Sequence, residues 1–394
     1  MTELGPEPVR ISTGWSMPVS SGDHPDLTGG AQPLRWIGAP ATGGLMLPDA
    51  TPSDQFLYAP RGVWLDDKRL VVADTGNHRV LVWSHPSELD DHAPASVVLG
   101  QASFTDEGPQ AAGRGPENGM HLPTGIVVAG DGRLVVADAW NHRLLVWNEV
   151  PERSDTPPDV VIGQPDANQV DENGGGLCSA TTFYWPFGIT LIEGRLFVAD
   201  TGNRRVVVYE GIPEPGDQPA FVLGQPDPAS RNENRGELGP GSFRWPHSVA
   251  FDGQCLFIAD AGNHRVLGWR GVPVEDGPAD FVLGQPDFTT AIEVPYSPQS
   301  ASTLRFPYAI AASDGIMSVA DTANNRVLLW DTPVANDRTP ADRVLGQHDF
   351  ATIGENRWDS VAFDTFCWPY GVAMHDGQIA VADSGNNRVM VWTL

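Results

Sequence analysis

One phrase returns six times along this chain: an apolar run, Ala-Asp, two further residues, Asn, a variable residue, Arg, and a second apolar run ending in an aromatic. It centres on Asp74, Asp138, Asp200, Asp260, Asp321 and Asp383, with steps of 64, 62, 60, 61 and 62 residues. A fixed period of this kind means one supersecondary unit copied in space. It also warns that a residue present six times is building the repeat.

Each unit holds four short runs rich in β-branched and aromatic residues, separated by turn chemistry. In the third unit these are Pro186–Ile192, Arg195–Ala199, Arg205–Tyr209 and Phe221–Gly224. No segment keeps a helical period. Four antiparallel strands per unit, six times over, predict an all-β, six-bladed β-propeller. The fourth run carries a Leu/Ile-Gly-Gln signature at Gln101, Gln164, Gln225, Gln285 and Gln347, so only five copies follow a third strand. The missing copy lies at the other end, as Leu34-Arg35-Trp36-Ile37-Gly38. Residues 34–38 are therefore expected to pair with 389–392 and close the ring, which leaves no open sheet edge. The expected organisation is a flexible, Gly/Pro/Ser-rich N-terminal segment over 1–33 and the propeller over 34–394.

The repeat resembles the NHL family, as found in bacterial NHL repeat-containing proteins. The residues that carry the likeness are Asn77-His78-Arg79, Asn141-His142-Arg143 and Asn263-His264-Arg265; the other units place Arg204, Asn325 and Asn387 in the middle position. The resemblance implies the propeller. NHL-like propellers include protein-binding modules, RNA-binding modules and a few metal-dependent lyases and hydrolases, so it leaves function open.

Composition narrows the field. Across 394 residues the formal net charge is −26, which opposes phosphate backbones and anionic lipid. No apolar run approaches the length of about 18 residues that reads as a membrane span. Three scattered cysteines, Cys178, Cys255 and Cys367, form no CxxC pair and fit a reducing, cytoplasmic setting.

Six Asp and six Arg (Arg79, Arg143, Arg205, Arg265, Arg326, Arg388) read as a structural pair, the Asp accepting turn amides and pairing with Arg. The turn Asn is expected to adopt the left-handed conformation or make an Asx turn. Aromatics closing the third strands, such as Trp83 and Tyr209, read as inter-blade packing. His78, His142 and His264 occupy one repeat position in separate blades and are not expected to share a metal. The Glu-Asn pairs of the long fourth-to-first loops read as loop packing.

Function is expected where the copies differ. The first strand opens with a residue, Pro, a variable position X and a small residue; X reads Arg61, Thr124, Phe187, His247, Tyr308 and Tyr370 around the ring. Unlike side chains converging on a channel mouth are what a ligand site needs; the alternative is that they simply plug a narrow channel. In an enzyme, His247 would be the acid/base, titrating near neutrality, with Tyr308 or Tyr370 assisting. His121 and His247 alone fall short of a metal set, and no catalytic set assembles, so neither a cofactor nor a bound metal is expected. The reading is a binding or scaffold propeller, a monomer or accessory subunit, with a protein partner on its loop face and no nucleic-acid or membrane partner. A hydrolase or lyase at the channel mouth is the first alternative. An RNA-binding module is the second, opposed by the acidic charge.

Overall fold

The computed structural model describes residues 26–40, 50–293, 299–331 and 333–394. Residues 1–25, most of the expected flexible segment, lie outside the described residues. The strands form six four-stranded antiparallel sheets, each one blade of a propeller. Blade 3 is typical, with Pro186–Ile192 innermost, then Arg195–Asp200, Arg205–Tyr209 and Phe221–Leu223 outermost. Blade 6 is completed by the N-terminal strand Gln32–Gly38, which pairs antiparallel with Arg388–Thr393; Trp36 faces Met390 and Ile37 faces Val389. That strand starts two residues before the expected boundary. Upstream of it, the Val344 N–H donates to the Leu27 carbonyl at 2.9 Å, so the described end of the leader lies against blade 5.

Each outer strand ends at or one residue before the glycine of its signature, and the six glycines share one left-handed φ, from 84° to 100° at Gly38, Gly100, Gly163, Gly224, Gly284 and Gly346. A side chain is strained there, which explains the invariance and marks Gly38 as the sixth copy. The Gln that follows clasps the long loop to the turn: Gln347 Nε2 donates to the Asn325 and Gly354 carbonyls at 2.9 and 2.8 Å. Glu-Asn residues pack the same loops, with the Asn356 Nδ2 donating to Asn386 Oδ1 at 3.0 Å.

Core residues lie between blades. Trp147 packs among Val71, Val82, Leu99 and Val136 at the junction of blades 1 and 2, and Trp330 among Phe257, Phe281 and Val319 between blades 4 and 5. Fully burying one such side chain contributes about 1.5–3 kcal/mol, so these clusters carry most of the cohesion.

The Asp–Arg pairs are fully buried. Asp200 Oδ2 accepts from Arg205 Nε and from Asn203 Nδ2, both at 2.8 Å, while Oδ1 accepts the Tyr184 N–H at 2.8 Å. Arg205 also donates to the Ser179 and Thr182 carbonyls of the loop entering its blade and to the Pro228 carbonyl of the loop leaving it. The pair thus pins two long loops as well as the turn. Of the two expected alternatives, the turn Asn does not take the left-handed conformation. Its side chain bonds the Asp, and the residue after it turns left-handed, with φ of 53–57° at His78, His142, Arg204, His264, Asn325 and Asn387.

That residue has a second task. His78 Nδ1 accepts the Leu122 N–H of the next blade at 3.1 Å, His142 Nδ1 that of Trp185 at 3.0 Å, and His264 Nδ1 that of Phe306 at 3.3 Å. Asn325 Oδ1 takes the Trp368 N–H at 2.9 Å and Asn387 Oδ1 that of Ala59 at 3.0 Å. Five of six junctions carry this latch. In each, the donor is the residue before the position-X proline.

Candidate functional site

The six innermost strands surround a channel, and the residue after X decides how tightly. A Cβ on Gly62 would run into the Thr124 carbonyl oxygen, and one on Gly188 into that of His247. The strands therefore touch at this level, and the position-X side chains meet on the axis. Phe187 and His247 lie 4.4 Å apart between ring centroids, His247 and Tyr308 4.4 Å, and Tyr308 and Tyr370 4.7 Å. The Arg61 guanidinium stands over the Tyr370 ring at 4.6 Å. Thr124 Oγ1 donates to the Phe187 carbonyl at 2.8 Å. The expected set does converge, but as a plug that fills the channel at the end bearing the Asn-X-Arg turns.

His247 departs from its expected chemistry. It is buried, and its Nδ1 lies 2.9 Å from the Trp245 carbonyl oxygen. A carbonyl only accepts, so the proton sits on Nδ1 and Nε2 is a bare acceptor, which has no partner. Burial, helped by the Arg61 charge, depresses its pKa to about 3. His247 is neutral at pH 7 and does not titrate near neutrality. That counts against His247 as the acid/base of the enzyme reading. Burial also pushes the Tyr308 phenol up to about 12.

Beneath the plug the channel holds a cavity of ≈ 560 Å³. Its wall is largely apolar, with Ile126, Ile189, Leu191, Ile310 and Val372, and its far end reaches the first-to-second strand turns at Asp66, Glu193 and His375.

On the opposite side of the plug, the pre-proline residues form a collar. Ala59, Leu122, Trp185, Phe306 and Trp368 all hold left-handed φ between 46° and 57°. Trp245 and Phe306 stack at 6.3 Å, and Arg244 stands over Trp245 at 5.1 Å. The collar surfaces as exposed aromatics: Tyr58 at 47%, Trp140 at 46% and Trp368 at 39%. Trp140 is the informative member. Its repeat position is Gly76, Gly202, Gly262, Ala323 or Gly385 elsewhere, and a Cβ on Gly202 would strike Tyr184. In blade 2 a tryptophan stands there instead, 5.8 Å from Trp185 and 6.0 Å from His121. That break in the repeat was legible in the sequence and went unread. His121 belongs to this face too, 5.1 Å from the His78 ring, and is not a channel residue. The long loops add charged pairs around the collar, Glu172 with Arg231 at 3.8 Å and Glu293 with Arg305 at 2.8 Å, and Glu355 accepts from Trp368 Nε1 at 2.9 Å. Among the described residues no cluster of three or more His, Cys, Asp or Glu side chains could hold a metal.

Sequence comparison settles the family at this point. The profile of the NHL repeat matches residues 57–83, 120–147 and 366–392, in blades 1, 2 and 6. The chain belongs to the NHL repeat family. It is 24% identical over 376 residues to NHL repeat-containing protein 2 of Gallus gallus, covering 88% of this chain and 48% of that protein, and 23% identical over 377 residues to the Homo sapiens protein, with the same coverage. This NHL chain thus spans about half the length of those relatives. Among solved structures, a protein of unknown function from Bacteroides thetaiotaomicron matches with a TM-score of 0.50 at 12% identity, over 92% of this chain and 75% of that one. Virginiamycin B lyase of Staphylococcus aureus matches with a TM-score of 0.45 at 13% identity, over 92% and 99%. The first likeness shows the fold; the second carries no argument about chemistry. No described helix is long and apolar enough to cross a membrane.

Proposed function

We propose that this NHL propeller is a docking module, a scaffold or accessory subunit that binds a partner polypeptide across its collar face. The observation that carries the reading is the set of exposed aromatics, Tyr58, Trp140 and Trp368, on rigid turns around a closed channel mouth. Rigid aromatic anchors dominate protein interfaces. The net charge of −26 favours a partner segment that is basic and apolar in alternation. The same charge opposes RNA. Three free cysteines fit a cytoplasmic setting. Selection from a displayed random-peptide library tests the reading. Enriched peptides are expected to carry Arg or Lys beside apolar residues and to bind a Trp140→Ala/Trp368→Ala variant at least tenfold more weakly. A library that yields no such peptides, or peptides that bind the variant equally, contradicts it.

A further inference from the structure

The cavity lies on the other side of the plug from the collar, and Arg61 lines its closed end. Arg61 Nε is buried without a hydrogen-bond partner, and among the described residues the guanidinium makes no ion pair. A buried donor left unmade costs about 1–3 kcal/mol, and more when charged. An unpaired cation at the end of an apolar chamber describes half of a recognition site. His247 adds nothing to it, because its ring is covered and Nε2 faces no open space. The acids at the far end do not fill the need: Asp66 is occupied by the Trp64 indole N–H at 3.1 Å and the Lys68 and Arg69 amides at 2.7 Å, and His375 pairs with Asp67 at 2.8 Å.

We propose that the channel is a small-molecule site for an organic carboxylate with an apolar body. The carboxylate accepts from Arg61, whose always-charged fork is held in place over Tyr370. The apolar body lies along Ile189, Leu191 and Ile310. A volume of ≈ 560 Å³ falls inside the range of small-molecule pockets. This site is reached from the first-to-second turn face, so it is independent of the collar.

Two matched probes test it by titration calorimetry on the full chain: 3-phenylpropionate and its amide. The expected result is one site per chain, with 3-phenylpropionate binding at least tenfold more tightly than the amide. Arg61→Gln should erase the acid–amide difference without moving the thermal midpoint, and Trp140→Ala/Trp368→Ala should change nothing. Equal binding of acid and amide to the native protein, or binding of neither, overturns the site even if Arg61→Gln fails to fold.

Discussion

Five junctions between blades carry a latch that the junction between blades 3 and 4 lacks, although all six share the buried Asp–Arg pair. At the odd junction the middle residue of the turn is Arg204, which has donors and no acceptor. Its side chain turns to the Gly202 carbonyl at 3.1 Å. The Trp245 N–H, left without an acceptor across the junction, goes to Asp260 Oδ1 of its own blade at 3.1 Å, beside the Arg244 N–H at 2.9 Å. Trp245 is also the one pre-proline residue of the six outside the left-handed region. Acceptor and backbone conformation change together. A left-handed backbone costs a non-glycine residue roughly 1–2 kcal/mol, and a hydrogen bond to the preceding blade offsets it by about 1 kcal/mol. The variable position of the repeat thus sets how the collar residue of the next blade is presented.

The largest expected effect is one the two kinds of junction should share. Asp138→Ala and Asp200→Ala each strand a buried arginine and release two loops, and each should cost about 3–5 kcal/mol in denaturant unfolding. A large difference between them would mean that the Asp–Arg pair is not the common element. The next effect should separate the junctions. His142→Ala removes a latch acceptor and should cost about 1–2 kcal/mol, whereas Arg204→Ala should stay within about 0.5 kcal/mol. Equal losses in thermal denaturation would break the comparison.

Among the latches, acid should act on the histidine ones only. Burial, with His121 adjacent, holds His78 at about 4, and burial also lowers His142 and His264. Above the ordinary histidine pKa near 6.5 these rings are neutral in folded and unfolded chains alike, so their contribution is fully present. Between there and about pH 4 the unfolded chain takes up protons that the folded chain refuses, and stability falls as pH falls. Replacing His78, His142 and His264 with Asn keeps an acceptor, as Asn325 and Asn387 do, and should lower the slope of that part of a stability–pH curve, with His247 and His121 keeping the remainder. An unchanged slope would place the titration elsewhere. The smallest effect is a gain: Arg204→Asn should build the sixth latch, add about 0.5 kcal/mol, and bring Trp245 into the left-handed region in a crystal structure.

The architecture was legible because a period near 62 residues admits few closures and because the displaced Trp36-Ile37-Gly38 named the strand that seals blade 6. The Asp–Arg pair was legible from repetition alone. The latch was not, because each acceptor meets an amide 42 to 44 residues away in the next blade, or across the ring closure. Its signal was chemical: His and Asn share an acceptor that Arg lacks. The state of His247 was hidden for another reason, since a position on a strand does not reveal that four neighbours close over its ring. The position-X residues were found, but their arrangement as a plug depends on how closely Gly62 and Gly188 let the strands approach.

The turn histidines work as neutral acceptors across blade junctions while the channel histidine holds the opposite tautomer. Nitrogen-15 NMR of the imidazole rings at pH 7 tests it directly. The expected spectrum shows His78, His142 and His264 with the proton on Nε2 and a bare Nδ1, scalar coupling across the hydrogen bond from the Trp185 amide to His142 Nδ1, and His247 with its proton on Nδ1. Turn histidines that are doubly protonated, or that carry their proton on Nδ1, would contradict it.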